Sequence, residues 1–387
     1  MSAPANRVFA GMGTTIFSVM SALAVEHRAI NLGQGFPDED GPLAIREAAA
    51  KALVDGPNQY PPTRGLPQLR QAIAAHAKRF YDLSFDADRE VLVTSGGTEA
   101  LTASIMAFSS PGSEVVIVEP AYDSYKPMAE AAGAVVKAVK LAPPLWRLTE
   151  EALSAVVTPK TSAILINSPL NPIGRVFDAQ ELDALARVVQ KSNAVVISDE
   201  VYEHLVFDDR KFEPLIKRLP ERVLRVGSAG KMFSLTGWKI GWVTGAAPLI
   251  DVVAKVHQFL TFTTSPALQL GIAHALTHEM DFTLQLTRDL QAKRDLLANG
   301  LGKLGFDVLP CEGTYFLTAG IRKLTNEPDI VFCQRLTREA GVAPIPLSAF
   351  FDGNTPDHLV RFAFCKKRAV IEDALSRLER HFANRNV

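Results

Sequence analysis

Two lysines, Lys231 and Lys239, stand in the run Ser228-Ala229-Gly230-Lys231-Met232-Phe233-Ser234-Leu235-Thr236-Gly237-Trp238-Lys239, and no carboxylate occurs between Arg222 and Ile250. An ammonium that is partly desolvated and lacks an acidic partner holds its proton weakly. That is the state a Schiff-base or proton-transfer lysine needs. Ser228, Gly230 and the second lysine suit a phosphate. The same residues also read as a surface Ser/Gly turn with two solvated lysines, so the run alone leaves both readings open.

Further groups capable of chemistry lie upstream. Asp199 precedes Tyr202 by three residues at the end of an apolar run, so a carboxylate and a phenol can face one crevice. Such a pair can serve a protonated heteroaromatic nitrogen and a ring oxygen, or the acid can merely cap a turn. Asn167-Ser168-Pro169-Leu170-Asn171-Pro172-Ile173-Gly174 has two prolines and a glycine constraining the path of two asparagines. This constraint can hold an amide side chain rigidly. Gly96-Gly97-Thr98 joins a β-branched run to a helical pattern, so free N–H groups and the Thr98 hydroxyl can cradle a phosphate. It matches neither a Walker pattern nor a complete GxGxxG, and an ordinary glycine turn is the competing reading.

These groups need a frame. From about Glu90, short β-branched runs (Val91 to Thr94, Val115 to Val118, Ala163 to Ile166, Ala194 to Ile197, Val223 to Val226) alternate with helical patterns such as Asp178 to Gln190. This alternation predicts an α/β fold with a mostly parallel, helix-covered sheet. Ligands of such sheets sit outside the carboxyl ends of the strands, where the polar motifs fall. Beyond about Asp281 the pattern becomes a long charged helix through Leu301, then short strands near Phe306 to Leu309 and Tyr315 to Ala319. A closing helix from Lys367 to Phe382 completes a smaller α+β unit.

The bulk numbers exclude several function classes. With 387 residues, 47% of them hydrophobic, the chain can bury a large core and is read as two packed domains. Lys+Arg at 41 against Asp+Glu at 42 offers no global attraction to nucleic acid or an anionic membrane. Cys311, Cys333 and Cys365 form neither a CxxC pair nor an even set, so neither a metal site nor a disulfide framework is expected. Thiols of this kind fit a reducing, cytoplasmic compartment. Ile16 to Val25 imitates a targeting signal, but its flank is barely basic and an amphipathic N-terminal helix is the favoured reading. No apolar stretch spans a bilayer.

Taken together and in order, the motifs resemble the fold-type I, pyridoxal-phosphate-dependent aminotransferases of class I/II, in the kynurenine, methionine and aromatic aminotransferase branch. The resemblance rests on Asn31-Leu32-Gly33-Gln34-Gly35-Phe36-Pro37, Asn58-Gln59-Tyr60, Gly96-Gly97-Thr98-Glu99-Ala100, Asn171-Pro172-Ile173-Gly174, Asp199-Glu200-Val201-Tyr202, the Lys231 run and Arg361-Phe362. It implies a large cofactor-binding domain over residues 43–282, built on a seven-stranded sheet. The N-terminal arm (1–42) and the C-terminal part (283–387) would form the small domain. It further implies that Lys231 carries the cofactor as a Schiff base and moves the substrate proton, while Asp199 keeps the pyridine nitrogen protonated. Tyr202 and Asn171 would contact the ring oxygen and Tyr122 the ring face. Gly97, Thr98, Ser228 and Lys239 would hold the phosphate, with Tyr60 reaching it from the other subunit of a homodimer. Arg361 would grip the substrate carboxylate bidentately, assisted by Asn171 and the Gly35 backbone.

Lys239 stands where the aspartate branch has arginine, Gly230 where serine is common, and Ile173 where threonine or leucine is usual. No Lys or Arg occurs between Lys255 and Arg288, and Phe259, Phe262 and Pro266 occupy a segment that contributes to the substrate pocket of the resembling family. The expectation is transfer from an aromatic or thioether amino acid to a 2-oxo acid. A C–S β-lyase acting on cysteine conjugates is the alternative, since both reactions begin with loss of the same proton. A non-catalytic regulatory module is the remote alternative, disfavoured because the motifs begin by Asn31 and Lys231 is intact.

Overall fold

The structure, a computed structural model, describes residues 5–353 and 355–383. Its largest sheet has the strand order Val91–Thr94, Gly241–Thr244, Val223–Ser228, Val195–Asp199, Thr161–Asn167, Glu114–Glu119, Val135–Lys140. Gly241–Thr244 runs antiparallel to both neighbours and every other pairing is parallel. The expected α/β architecture with a mostly parallel seven-stranded sheet is the one observed. Val115 and Ile117 pack into the core on one face with Ile105, Leu165 and Ile197. Val116 and Val118 turn to the other face, with Ile164, Leu182 and Val196. Both faces being covered, these strands read as continuous apolar runs.

Two of the seven strands escaped the β-branched pattern. Val135–Lys140 is an edge strand whose residues are mostly exposed or half-buried, and its two lysines suit a solvated edge. Gly241–Thr244 contributes four buried residues, but it is short and opens on a glycine, so the run is too brief to stand out as a strand.

The helices begin where local chemistry allows. Asp178 caps Ala179–Gln190 in a reciprocal box with Glu181, satisfying two otherwise free N–H groups. Gly96–Phe108 starts four residues before the apolar pattern at Ala100, because Gly96 takes φ +75° and so turns the chain directly from strand into helix.

The N-terminal helix Ile16–Glu26, capped by Thr15, buries Met20 and Ala24. Ile30–Asn31 then pairs with Val342–Ala343, tying the start of the chain to its C-terminal part. There, Ile345–Pro346, Leu359–Ala363, Phe316–Gly320 and Asp307–Val308 form an antiparallel four-stranded sheet. The helix Met280–Lys303 leads into this region, and the boundary expected between 282 and 283 falls in its first turn. No helix among the described residues is long and apolar enough to cross a membrane.

Candidate active site

Register sets the floor of the site. Asn167 lies opposite Asp199, and Asp199 opposite Val226, so three parallel strands end side by side. Above these ends is a cavity of about 390 Å³, closed over by Gln34 and Gly35 from the N-terminal segment and by Phe316 and Arg361 from the small sheet. It brings together Gly35, Gly97, Thr98, Tyr122, Asn171, Asp199, Tyr202, Ser228, Lys231, Lys239 and Arg361. Of the residues expected to hold the cofactor or grip the substrate carboxylate, Tyr60 alone lies elsewhere. It is 83% exposed, its ring 5.3 Å from that of Phe262.

Lys231 sits in the short helix Ala229–Met232, and its Nζ donates to Tyr315 Oη at 2.9 Å. Tyr315 in turn donates to the Gly35 carbonyl at 2.5 Å. Burial pushes the Lys231 amine down to about 8, with Asp199 pulling upward and Lys239 and Arg361 downward. About a tenth of the amine is therefore in its neutral, nucleophilic form at pH 7. Tyr315 was not singled out in sequence. Its signal was slight, a tyrosine after Gly313-Thr314 at the head of a predicted strand.

Asp199 is buried at the end of its strand, where it accepts from Tyr125 Oη at 2.5 Å and from the Val201 N–H at 3.3 Å. Burial raises its carboxyl to about 6, while those hydrogen bonds and Lys231 act in the opposite sense. Asn167 fastens two motifs together. Its amide donates to the Asp199 carbonyl at 2.8 Å, and its oxygen accepts from the Asn171 N–H at 2.7 Å. Burial likewise drives the Tyr202 phenol well above its ordinary value, so it stays protonated.

One end of the cavity is a cup of donors. The N-terminus of Gly96–Phe108 points its free N–H groups and positive dipole end there, beside Thr98, Ser228 and Lys239. The cup is tight. A Cβ at Gly96 would stand 3.3 Å from Lys239 Cε and Nζ, and one at Gly241 only 2.6 Å from the Gly96 carbonyl carbon. Gly241 is thus a second residue that sequence reading missed, for its strand was not recognised. Among the described residues no carboxylate forms an ion pair with Lys239.

At the other end lies Arg361, 1% exposed. Nη1 donates to Asn171 Oδ1 at 2.9 Å and Nη2 to the Gly33 carbonyl at 2.6 Å. Its guanidinium carbon lies 3.9 Å from the Phe316 ring centroid and 4.9 Å from that of Phe350. Nε is buried with no hydrogen-bond partner, and no carboxylate lies within ion-pair distance among the described residues. A buried cation held only by neutral groups attracts an anion strongly. The Gly33 carbonyl holds the guanidinium, while Gly35 lines the cavity beside it. The Phe259–Pro266 segment lies outside the cavity of its own chain, with Phe259 86% exposed.

The chain that folds into this site matches known proteins over nearly its whole length. The family model of aminotransferase class I and II matches residues 27–378. The chain belongs to this family.

Among relatives of this class I and II aminotransferase, a probable N-succinyldiaminopimelate aminotransferase of Mycobacterium tuberculosis is 46% identical over 94% of the chain and 95% of the relative. The methionine aminotransferase of Escherichia coli is 42% identical over 95% and 96%. The solved structure of an Escherichia coli protein identified as a methionine aminotransferase superposes with a TM-score of 0.95 at 40% identity, covering 98% of this chain and 100% of that one. Class I and II aminotransferases use pyridoxal 5′-phosphate. The donor cup free of acids fits that cofactor's phosphate, and the buried Asp199, still mostly carboxylate at neutral pH with its carboxyl at about 6, fits the protonated ring nitrogen.

Proposed function

We propose that this aminotransferase moves the amino group of an aromatic or thioether L-amino acid to a 2-oxo acid in two half-reactions at one site, a ping-pong scheme. The buried Arg361, the one guanidinium among the described residues that line the cavity, carries the reading. It provides for one carboxylate, and Phe17, Phe36, Tyr122 and Phe316 line the remaining walls. Asp123, also on the lining, would repel a distal carboxylate. The Escherichia coli relative's name points to a thioether substrate, while the Mycobacterium tuberculosis relative's names a succinylated diamino acid.

In this reading Lys239, Ser228, Thr98 and the Gly97 backbone hold the cofactor phosphate, Asp199 its ring nitrogen, Tyr202 and Asn171 its ring oxygen, and Tyr122 its face. When bound, pyridoxal phosphate supplies a carbonyl for amine exchange and an electron-accepting ring. Lys231, freed as a neutral amine, would take the proton from the substrate Cα. Tyr315 steadies that amine through a hydrogen bond while tying it to the Gly35 carbonyl. Arg361 fixes the substrate by its carboxylate, with Asn171 and Gly33 locking the guanidinium so that little orientation is lost on binding. A homodimer in which Tyr60 completes the partner's phosphate cup, the division at 42/43 and 282/283, and a cytoplasmic location complete the proposal.

The test is a spectral titration of the purified holoenzyme with single amino acids, followed by 2-oxo acid acceptors. Methionine or phenylalanine should convert the cofactor band faster than aspartate does, and a 2-oxo acid should restore it. Equal or better turnover of aspartate would reject the substrate assignment. Pyruvate and ammonia formed from cysteine conjugates without an acceptor would support the lyase instead.

A further inference from the structure

One residue beyond Tyr202, outside the cavity, lies a second cluster that the transamination chemistry leaves unused. His76, on the helix Pro67–Tyr81, meets His204, in the turn after Val195–Asp199, with the two Nε2 atoms 2.7 Å apart. Glu203 adds a carboxylate, and one ligand atom from each of the three residues lies within 4.8 Å of the others. His76 and Glu203 are buried, and His204 is half-buried. Beside them Tyr81 is buried, its ring 5.9 Å from that of His76.

Charge there is unbalanced. Arg225 donates to Glu200 at 2.6 Å and to Glu203 at 2.9 Å, so two buried carboxylates share one guanidinium. A neutral imidazole offers one ring-nitrogen lone pair, and the two Nε2 atoms face each other here. Phe80, with its ring centroid 4.8 Å from that of His204 and 5.0 Å from that of His76, gives the cluster an apolar wall.

We propose that His76, His204 and Glu203 form a binding site for a divalent transition-metal ion, with zinc the best match. Two imidazoles and a carboxylate are a zinc-type donor set, whereas calcium and magnesium select oxygen ligands. An ion about 2.0–2.1 Å from each nitrogen in tetrahedral geometry sets the nitrogens roughly 3.3 Å apart. The pair must open by about half an ångström, within the reach of two side-chain torsions. The apolar wall and the Arg225–Glu200 pair would orient the carboxylate ligand. A bound ion would cross-link the helix Pro67–Tyr81 to the turn that carries Tyr202. None of the three ligands lines the catalytic cavity, so the ion takes no part in the chemistry there.

Holoenzyme dialysed against a chelator and titrated with cobalt(II) tests this directly. The expected result is one equivalent per chain with the intense visible d–d bands of low-symmetry, imidazole-ligated cobalt, displaced stoichiometrically by zinc. His76→Asn and His204→Asn should each abolish the equivalent. The half-buried His274 and the exposed His278, with rings 4.9 Å apart one helical turn from each other, could also chelate metal. Replacing both by Gln should leave the equivalent in place. Absence of the cobalt bands from the wild-type protein overturns the proposal whatever the variants do. Loss of the equivalent in the His274→Gln, His278→Gln protein, or its survival in a folded His76→Asn protein, overturns it as well.

Discussion

At the floor of the cavity burial dominates two titrations of opposite sense. It drives Lys231 toward the neutral amine and Asp199 toward the neutral acid, at about 8 and about 6. Because only the neutral Lys231 amine attacks a carbonyl, cofactor capture by the apoenzyme should accelerate about tenfold per pH unit up to roughly pH 8 and then level. A stopped-flow profile still rising toward pH 10 would contradict the buried lysine. For Asp199 the folded value lies above the ordinary 3.8, so its contribution to stability is complete below about pH 3.8 and lost as pH rises through about 6. The loss amounts to at most about 3 kcal/mol. The Asp199→Asn apoenzyme should therefore match or exceed wild-type stability at pH 7 in urea unfolding, with the gain vanishing near pH 4. Its activity should fall by at least about 100-fold, because the amide cannot keep a ring nitrogen protonated. Arg361→Lys should lower kcat/KM by roughly 30- to 1,000-fold, equivalent to about 2–4 kcal/mol for a lost buried bidentate contact. Steady-state kinetics that differ little from wild type would remove Arg361 from the carboxylate role.

The elements convert those residues into a site. Parallel strands end in register, and that alone sets Asn167, Asp199 and Ser228 along one edge, while the antiparallel Gly241–Thr244 slots between Val91–Thr94 and Val223–Ser228. The sharp strand-to-helix transition at Gly96 aims the helix N-terminus into the cup. Gly96→Ala should cost about 1–2 kcal/mol for the left-handed backbone and press on Lys239, which a Cβ would approach to 3.3 Å. Equilibrium dialysis should show the cofactor bound at least about tenfold more weakly; an unchanged affinity would show that the cup tolerates a side chain. The prolines and Gly174 announced a rigid path around Asn171, but not what secures it. Arg175, bonded to both Glu181 and Glu312, anchors that loop to the helix Ala179–Gln190 and to the segment leading to Tyr315. No local pattern announces such a tie, because its partner Glu312 is 137 residues away.

Across the whole molecule, the apolar surface formed by Phe259, Phe262 and Tyr60 lies away from the cavity of the same chain. A second copy covering it would explain both the exposure and the failure of Tyr60 to reach its own cup. Phe262→Glu should shift the protein toward monomer in sedimentation velocity and weaken cofactor retention together; a dimer that persists with full activity would separate this surface from the site. What the sequence determined by itself was the chemistry and its order: a lysine among neutral residues, an acid and a phenol after one strand, glycines before a helix, an arginine late in the chain. Residue type and short spacing carry those properties, as they carry the alternation of strand and helix. Tertiary structure decided the rest. That Tyr315 meets Lys231, that Gly33 meets Arg361 across 328 residues, and that His76 meets His204 all depend on long-range packing. So do the shifts at Lys231 and Asp199, since desolvation is a property of the closed cavity and of no segment of the chain.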